Sequence, residues 1–472
     1  MTARRLSLFQ AVSLNMSMMV GIGPFITIPS IVLAMGGPQA MVGWLLGAAI
    51  ALCDGMVWSE LAAAFPGSGG TYHFYQAAYG QSRLGRLLKF VFVWQFVFSG
   101  PLEAATGAIG VAKYLGFFLP GLARPAWRAS GLGLPVSGIV GWDQLVAVAI
   151  VGLATWLAYR RIERIGRLLV VLWVGMMATI VWVTGTALVH FDPALAFVDP
   201  PDAWRWDGGH ARGLGLALSI ALYDYLGYYQ VCYLGEEVDR GHRTIPRSIL
   251  ISVAAIAVLY LAMNIGILGA LPWREVAASS HIASDLMARR IAPWAANLVT
   301  VMIIWTAVAA TFTALLGYSR IPYAAARAGD FFGFFAATHR EGGFPHRALL
   351  LVGGIAAGSC LFSLGAVIAA LLSTRILIQF VGQIATLWRL RRLAPERLPL
   401  RAPLYPLASV VALAGWLFIF FSAEWQVLAY GLSTLALGAA AFLAWERRGR
   451  GPSASGPAIE PAERGGDGYE AP

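Results

Sequence analysis

Long apolar runs dominate this chain, and many are close to the roughly 20 residues that an α-helix needs to cross a hydrocarbon core of about 30 Å. Of the 472 residues, 58% are hydrophobic and only 12% are charged, whereas a soluble domain carries about 25% charged residues. A soluble chain of this length would need two or three domains with polar surfaces. The sequence therefore predicts an all-α integral membrane protein.

The apolar runs predict about 12 transmembrane helices. They cover residues 9–35, 40–64, 88–118, 141–159, 166–190, 212–238, 249–271, 293–318, 347–364, 366–388, 405–421 and 425–445. With the N-terminus placed in the cytoplasm, the cytoplasmic segments hold 25 Lys and Arg and the external segments hold 7. Because cytoplasmic loops are enriched in Lys and Arg, we expect a multi-pass protein of the cell membrane with both termini cytoplasmic. Residues 1–8 form the cytoplasmic N-terminus, and the polar residues 446–472 a disordered cytoplasmic tail.

The net charge of +10 does not indicate nucleic-acid binding. Its arginines lie in short clusters between apolar runs, whereas nucleic-acid binding requires a basic stripe on one domain. The three cysteines, Cys53, Cys232 and Cys360, lie inside apolar runs and have no metal-ligand spacing. The sequence holds no catalytic elbow, phosphate loop or intramembrane metal cluster. We therefore expect no enzyme activity, no metal and no cofactor.

Two predicted spans are interrupted by residues that break helices. The first contains residues 21–25 (GIGPF), and the sixth contains residues 223–229 (YDYLGYY). Glycine tolerates unwound backbone and proline removes a backbone donor, so such a segment must be packed in protein or line a cavity. Interruptions at equivalent positions of two halves indicate a transporter site. A simple proline kink is the alternative for the first span.

Five further stretches resemble motifs of the amino acid–polyamine–organocation permeases, and they occur in the order of that family. The GIGPF break is similar to the G-S-G-I-F break of these permeases. The other matches are Glu60 with residues 65–72 (FPGSGGTY), residues 235–238 (GEEV), 243–247 (RTIPR), 319–330 (SRIPYAAARAGD) and 401–406 (RAPLYP). Together the matches cover residues 21–406, which is most of the chain.

The resemblance implies a leucine-transporter-like fold. Two inverted five-helix repeats would cover residues 9–190 and 212–388, with helices 1 and 6 broken, and helices 11 and 12 would cover 405–445. It also implies a secondary active transporter (permease) that moves amino acids or polyamines by alternating access. The substrate would bind between the two breaks, at Gly21, Ile22, Gly23, Phe25, Tyr223, Asp224 and Gly227, in a protein embedded in the lipid bilayer.

Two departures from the family pattern bear on this site. Pro24 stands where these permeases have isoleucine, so it offers no amide to a substrate carboxylate, although Ile22, Gly23 and Phe25 still do. Some sodium-independent members carry a lysine in the fifth span in place of a sodium ion. No lysine lies between residues 165 and 190 here.

Three of the charges within predicted spans stand out: Glu103, Asp224 and Arg375. An intramembrane charge is a functional candidate because its burial is costly. Asp224 and Glu103 are predicted to neutralise a cationic substrate or exchange a proton during transport, with H⁺ as the coupling ion and Tyr223 as a gate. The alternative is a structural ion pair of Arg375 with Asp224 or Glu103. Asp54 in the second span has no assigned role beyond a hydrogen bond to a neighbouring helix.

The third span indicates which substrates are favoured. Residues 99–103 (SGPLE), followed by Tyr114 and Leu115, are similar to a motif of the plant-type polyamine uptake branch, which also has G-P-F in its first span. This resemblance favours polyamines and cationic amino acids. A neutral amino acid permease, an amino acid exchanger of the same fold and a substrate sensor stay open as alternatives.

Overall fold

The computed structural model describes residues 6–67, 69–128, 139–159, 165–198, 200–201, 203–204, 208–339, 344–402 and 404–447. The predicted tail from residue 448 onward and residues 1–5 of the predicted N-terminal segment lie outside the described residues. Among these residues, the regular secondary structure is helical except for one antiparallel ribbon of two short strands, β1 (Pro125–Arg128) and β2 (Ile139–Gly141). This agrees with the predicted all-α class.

Nineteen α-helices form the described part of the chain. The first ten are α1 (Leu8–Met19), α2 (Gly23–Met35), α3 (Met41–Ala64), α4 (Thr71–Tyr79), α5 (Arg83–Phe118), α6 (Trp142–Tyr159), α7 (Ile165–Val189), α8 (Pro193–Ala196), α9 (Gly208–Tyr225) and α10 (Gly241–Ala270). The others are α11 (Trp273–Ala278), α12 (Ile282–Arg290), α13 (Pro293–Tyr318), α14 (Arg320–Arg327), α15 (His346–Ser359), α16 (Leu364–Arg375), α17 (Gly382–Leu393), α18 (Leu407–Ser422) and α19 (Trp425–Arg447).

Seven helical segments of the described residues are long and apolar enough to cross a membrane. The pair α1 and α2, bent by 47° at a short break, makes an eighth if the two are one span. Each of the twelve predicted runs overlaps a helix. The tenth run extends further than predicted, because α16 continues through a π-helical segment (Ile376–Val381) into α17.

Helix α5 is the central helix of the bundle. It packs against α13, α16, α6, α15 and α19, while α3 packs against α10 and α9, and α2 packs against α9. Glycine lets α5 lie close to the first span. A Cβ at Gly110 of α5 would lie 2.5 Å from the Ile22 side chain. The break in the first span is thereby held directly against α5.

Ion pairs join the ends of several helices. Lys89 at the start of α5 is fully buried and lies 2.8 Å from Asp330, which also accepts a hydrogen bond from the Tyr72 hydroxyl. Glu60 near the end of α3 pairs with Arg391 of α17. These pairs connect helices that are far apart in sequence, as buried charges require a partner.

Candidate substrate-binding site

The break in the first span presents unpaired backbone amides. Helix α1 ends at Met19 and α2 begins at Gly23, with Pro24 in its first turn and no side-chain cap. Within the described residues, the N–H groups of Gly21, Ile22 and Gly23 form no hydrogen bond. Because the N-terminus of a helix also carries the positive end of its dipole, this break can bind an anionic group such as a carboxylate.

The break in the sixth span follows α9. A turn over residues 226–229 separates α9 from a 3₁₀-helix, Gln230–Glu237. Gly227 in this turn has a φ of +114°, and a Cβ there would lie 2.7 Å from the Cβ of Met18. Only glycine meets both demands, so Gly227 lets the second break rest on the end of α1.

A small cavity lies where the two breaks meet α5 and α13. Its volume is about 40 Å³, which admits only about two or three water molecules. The lining residues come from both breaks and both helices: Met18, Met19, Gly21, Ile22, Gly23, Glu103, Thr106, Gly107, Tyr223, Asp224, Leu226, Ala310 and Ala314.

Asp224 has one carboxylate oxygen bonded and one free. The side chain belongs to a residue only 2% exposed, and its Oδ2 accepts a hydrogen bond of 2.6 Å from the Thr27 hydroxyl. Its Oδ1 has no partner among the described residues, and a Cβ at Gly23 would lie 2.1 Å from it. A buried, unpaired carboxylate oxygen is costly, so Asp224 is suited to receive a cation or a proton at the cavity.

Glu103 lines the same cavity, but its charge is balanced. Arg375 Nη1 lies 2.8 Å from Glu103 Oε2, and the arginine side chain is fully buried. The guanidinium also donates to the Ser99 hydroxyl at 3.1 Å and to the Tyr229 hydroxyl at 3.3 Å. Of the two pairings that the sequence left open for Arg375, the structure therefore shows the one with Glu103.

Tyr223 closes part of the wall between α9 and α5. Its hydroxyl donates a hydrogen bond of 2.6 Å to Thr106 Oγ1, one turn after Glu103. Tyr223 therefore links α9 to α5 at the cavity, and its role as a gate stays a prediction.

A sequence model of the family described as "Amino acid permease" matches residues 6–441. This chain belongs to the amino acid permease family. The match covers nearly the whole chain and confirms the resemblance to the amino acid–polyamine–organocation permeases. The family consists of transporters, so the chain is a multi-pass membrane permease and not an enzyme.

Three relatives of this permease differ in what their names say they carry. A branched-chain amino acid permease of Bacillus subtilis is 23% identical over 94% of this chain and 93% of its own length. An aspartate-proton symporter of the same organism is 24% identical over 74% of this chain and 65% of its own length. The vacuolar cationic amino acid transporter 4 of Arabidopsis thaliana is 23% identical over 84% of this chain and 65% of its own length.

Six of the eight substrate-binding residues predicted from the sequence line the permease cavity: Gly21, Ile22, Gly23, Glu103, Tyr223 and Asp224. Two do not. Gly227 packs on Met18, and the Phe25 N–H donates to the Ile22 carbonyl at 3.0 Å, so it is not free as predicted.

The sequence interpretation missed several residues of the site. Thr27, four residues after Gly23, holds Asp224, and Thr106 and Gly107 follow Glu103 by three and four residues. Residues at these spacings share one helix face. The residues three and four positions from each predicted site residue could therefore have been included in the predicted site. Among the described residues, no cluster of three or more His, Cys, Asp and Glu is arranged to hold a metal ion.

Proposed function

We propose that this permease is a secondary active transporter of amino acids or polyamines with a preference for cationic substrates. The observation that carries the proposal is the free Oδ1 of Asp224, buried at the cavity beside the free amides of residues 21–23. The amides can bind the negative group of a zwitterion and the adjacent carboxylate can bind its positive group. A carboxylate without its own counter-ion favours substrates that bring a positive charge.

Each group of the site has a role in this proposal. The amides of Gly21, Ile22 and Gly23 take the substrate carboxylate, and Asp224 takes its ammonium or guanidinium group. Tyr223 gates the cavity. Glu103 shapes the wall while Arg375 balances its charge, so it adds little net charge to the site.

The transport cycle is alternating access in a twelve-span fold of the cell membrane, with two inverted five-helix repeats and cytoplasmic termini. Two features of the structure support this inference: bent or broken spans five spans apart, and a cavity of about 40 Å³ that residues of both breaks line. Discontinuous helices at the midplane are the usual binding elements of such carriers.

Protons are the coupling ion in this proposal. Asp224 takes the substrate cation, so the driving proton binds at another group, because one buried carboxylate neutralises only one positive charge at a time. The aspartate-proton symporter among the relatives supports proton coupling in a protein of the same family.

A neutral amino acid is the alternative substrate. The cavity wall includes the apolar side chains of Met18, Met19, Leu226, Ala310 and Ala314, and a relative that aligns over 94% of this chain is a branched-chain amino acid permease. In that case Asp224 binds the α-ammonium group alone.

Uptake by reconstituted vesicles distinguishes the two. Labelled L-arginine, putrescine and L-leucine are compared with and without an inward proton gradient. The proposal predicts uptake of arginine or putrescine well above that of leucine. Uptake of leucine alone overturns the cationic preference, and no uptake of any of the three in correctly folded protein contradicts amino acid or polyamine transport by this chain.

A further inference from the structure

Asp54 is a second carboxyl group inside the membrane, away from the cavity. It lies near the middle of α3 and is only 1% exposed. The Tyr228 hydroxyl donates a hydrogen bond to its Oδ2, and Trp416 Nε1 donates one of 3.2 Å to its Oδ1. Both oxygens are therefore occupied, each by a neutral donor.

No cation balances Asp54 within the described residues. The titratable groups that face it are Tyr228, from the break in the sixth span, and Cys53, its neighbour on α3. Helix α18 contributes the indole of Trp416 and no charge. Since a buried carboxylate without a cation depends on the hydrogen bonds that it accepts, loss of the Tyr228 donor would destabilise the charge on Asp54.

One donor of Asp54 belongs to an element of the substrate site, and the other packs against the tenth span. Tyr228 lies in the same break as Asp224, four residues further along the chain. Its neighbour Tyr229 contacts Arg375, which pairs with Glu103 at the cavity. The ring of Trp416 stacks at 3.9 Å on Phe380 in the π-helical segment of the tenth span. A movement of the sixth-span break would therefore change the bonding of Asp54.

We propose that Asp54 is a proton-binding site of the transport cycle. It takes up a proton when the break moves the Tyr228 hydroxyl away, and it releases the proton when the hydroxyl returns. The proton is taken from water on one side of the membrane and released on the other. The proposal rests on the proposed transport function. Because the proton and the substrate each favour one position of the sixth-span break, binding of either one changes the affinity of the protein for the other.

The test compares exchange with gradient-driven accumulation in vesicles. Exchange of L-arginine across the membrane needs no proton movement, whereas net accumulation driven by a proton gradient does. The membrane potential is clamped with potassium and valinomycin. A gradient of about one pH unit then supports roughly tenfold accumulation for one coupled proton, since tenfold corresponds to about 1.4 kcal/mol. In Asp54→Asn we expect exchange to continue and this accumulation to disappear.

Two tyrosine variants provide a matched comparison. Tyr228→Phe removes a donor of Asp54 and is expected to reduce accumulation while exchange continues. Tyr225→Phe removes a buried hydroxyl of the same segment that has no hydrogen-bond partner among the described residues, and it should behave as wild type.

Gradient-driven accumulation by Asp54→Asn at the wild-type level would overturn the proposal, and so would loss of exchange in folded Asp54→Asn protein. A wild-type protein that does not respond to the gradient also overturns it. If wild type carries no arginine, the proposed substrate preference fails, and the same comparison with L-leucine tests Asp54 independently.

Discussion

Asp224 and Glu103 line one cavity but differ in their partners. Glu103 faces a fully buried arginine at 2.8 Å, whereas one oxygen of Asp224 has no partner within the described residues. The charges of the Glu103 pair balance each other without a ligand, although Arg375 Nη2 has no hydrogen-bond partner within the described residues. Asp224 has no such counter-ion within the described residues, so we propose Asp224 as the binding carboxylate and Glu103 as the structural one.

Because their partners differ, substitution of Glu103 and substitution of Asp224 should have different effects, although both residues are intramembrane carboxylates in the sequence. Removing one member of a buried ion pair leaves the other charge unpaired, and the protein loses stability. Removing a carboxylate that has no cation leaves no charge unpaired, so the effect is expected on ligand binding instead. Variants of the two residues should therefore change different measurements.

The largest expected effect on folding comes from Glu103→Leu. Arg375 cannot lose its charge, so the variant is expected to lose about 3–5 kcal/mol of unfolding free energy. Denaturant unfolding in detergent micelles measures this loss. The double variant Glu103→Leu with Arg375→Met should recover most of it, while Asp224→Asn should lose less than about 1 kcal/mol because it leaves no unpaired cation. Equal losses for Glu103→Leu and Asp224→Asn would remove the distinction between the two residues.

Gly23→Ala is expected to disturb the site without changing its charges. The new Cβ would lie 2.1 Å from Asp224 Oδ1, so the carboxylate must move, and a displacement of about 1 Å can cost up to roughly 100-fold in activity. We expect arginine uptake to fall at least about tenfold. Gly185→Ala on α7 meets no atom within 4 Å and serves as the matched control. Normal affinity in Gly23→Ala would show that the position of Asp224 is not important.

The smallest effect is expected from Thr27→Val, which keeps the shape of the side chain and removes the hydroxyl that holds Asp224 Oδ2. A lost hydrogen bond of this kind costs about 1 kcal/mol or somewhat more, or roughly five- to tenfold in arginine affinity. Thr27→Ser keeps the hydroxyl and should bind almost as wild type. If Val and Ser have the same effect, the hydroxyl does not position Asp224.

The sequence was sufficient to predict the membrane class, the family and the two interrupted spans, because hydrophobic length and helix-breaking residues act locally. Six cavity residues were also predicted, since they lie at or near the breaks. The number of spans that cross the membrane and the inverted repeat stay predictions.

What the sequence did not provide was the pairing of residues far apart in the chain. Arg375 lies 272 positions from Glu103, and Thr27 lies 197 positions from Asp224. No local pattern indicates which intramembrane carboxylate meets the arginine, because that depends on how α5, α9 and α16 pack. The free and the paired carboxylate were therefore distinguished only by the structure.

The most direct test of Asp224 as the cation site uses L-arginine and L-citrulline, which have nearly the same shape but differ by the positive charge of the side chain. Inhibition of labelled arginine uptake by each compound gives their relative affinities for wild type and for Asp224→Asn. We expect wild type to prefer arginine by roughly 100-fold, in the range for a charge-paired group, and Asp224→Asn to bind the two about equally. The same strong preference for arginine in both proteins would contradict the assignment of Asp224 as the group that receives the substrate cation.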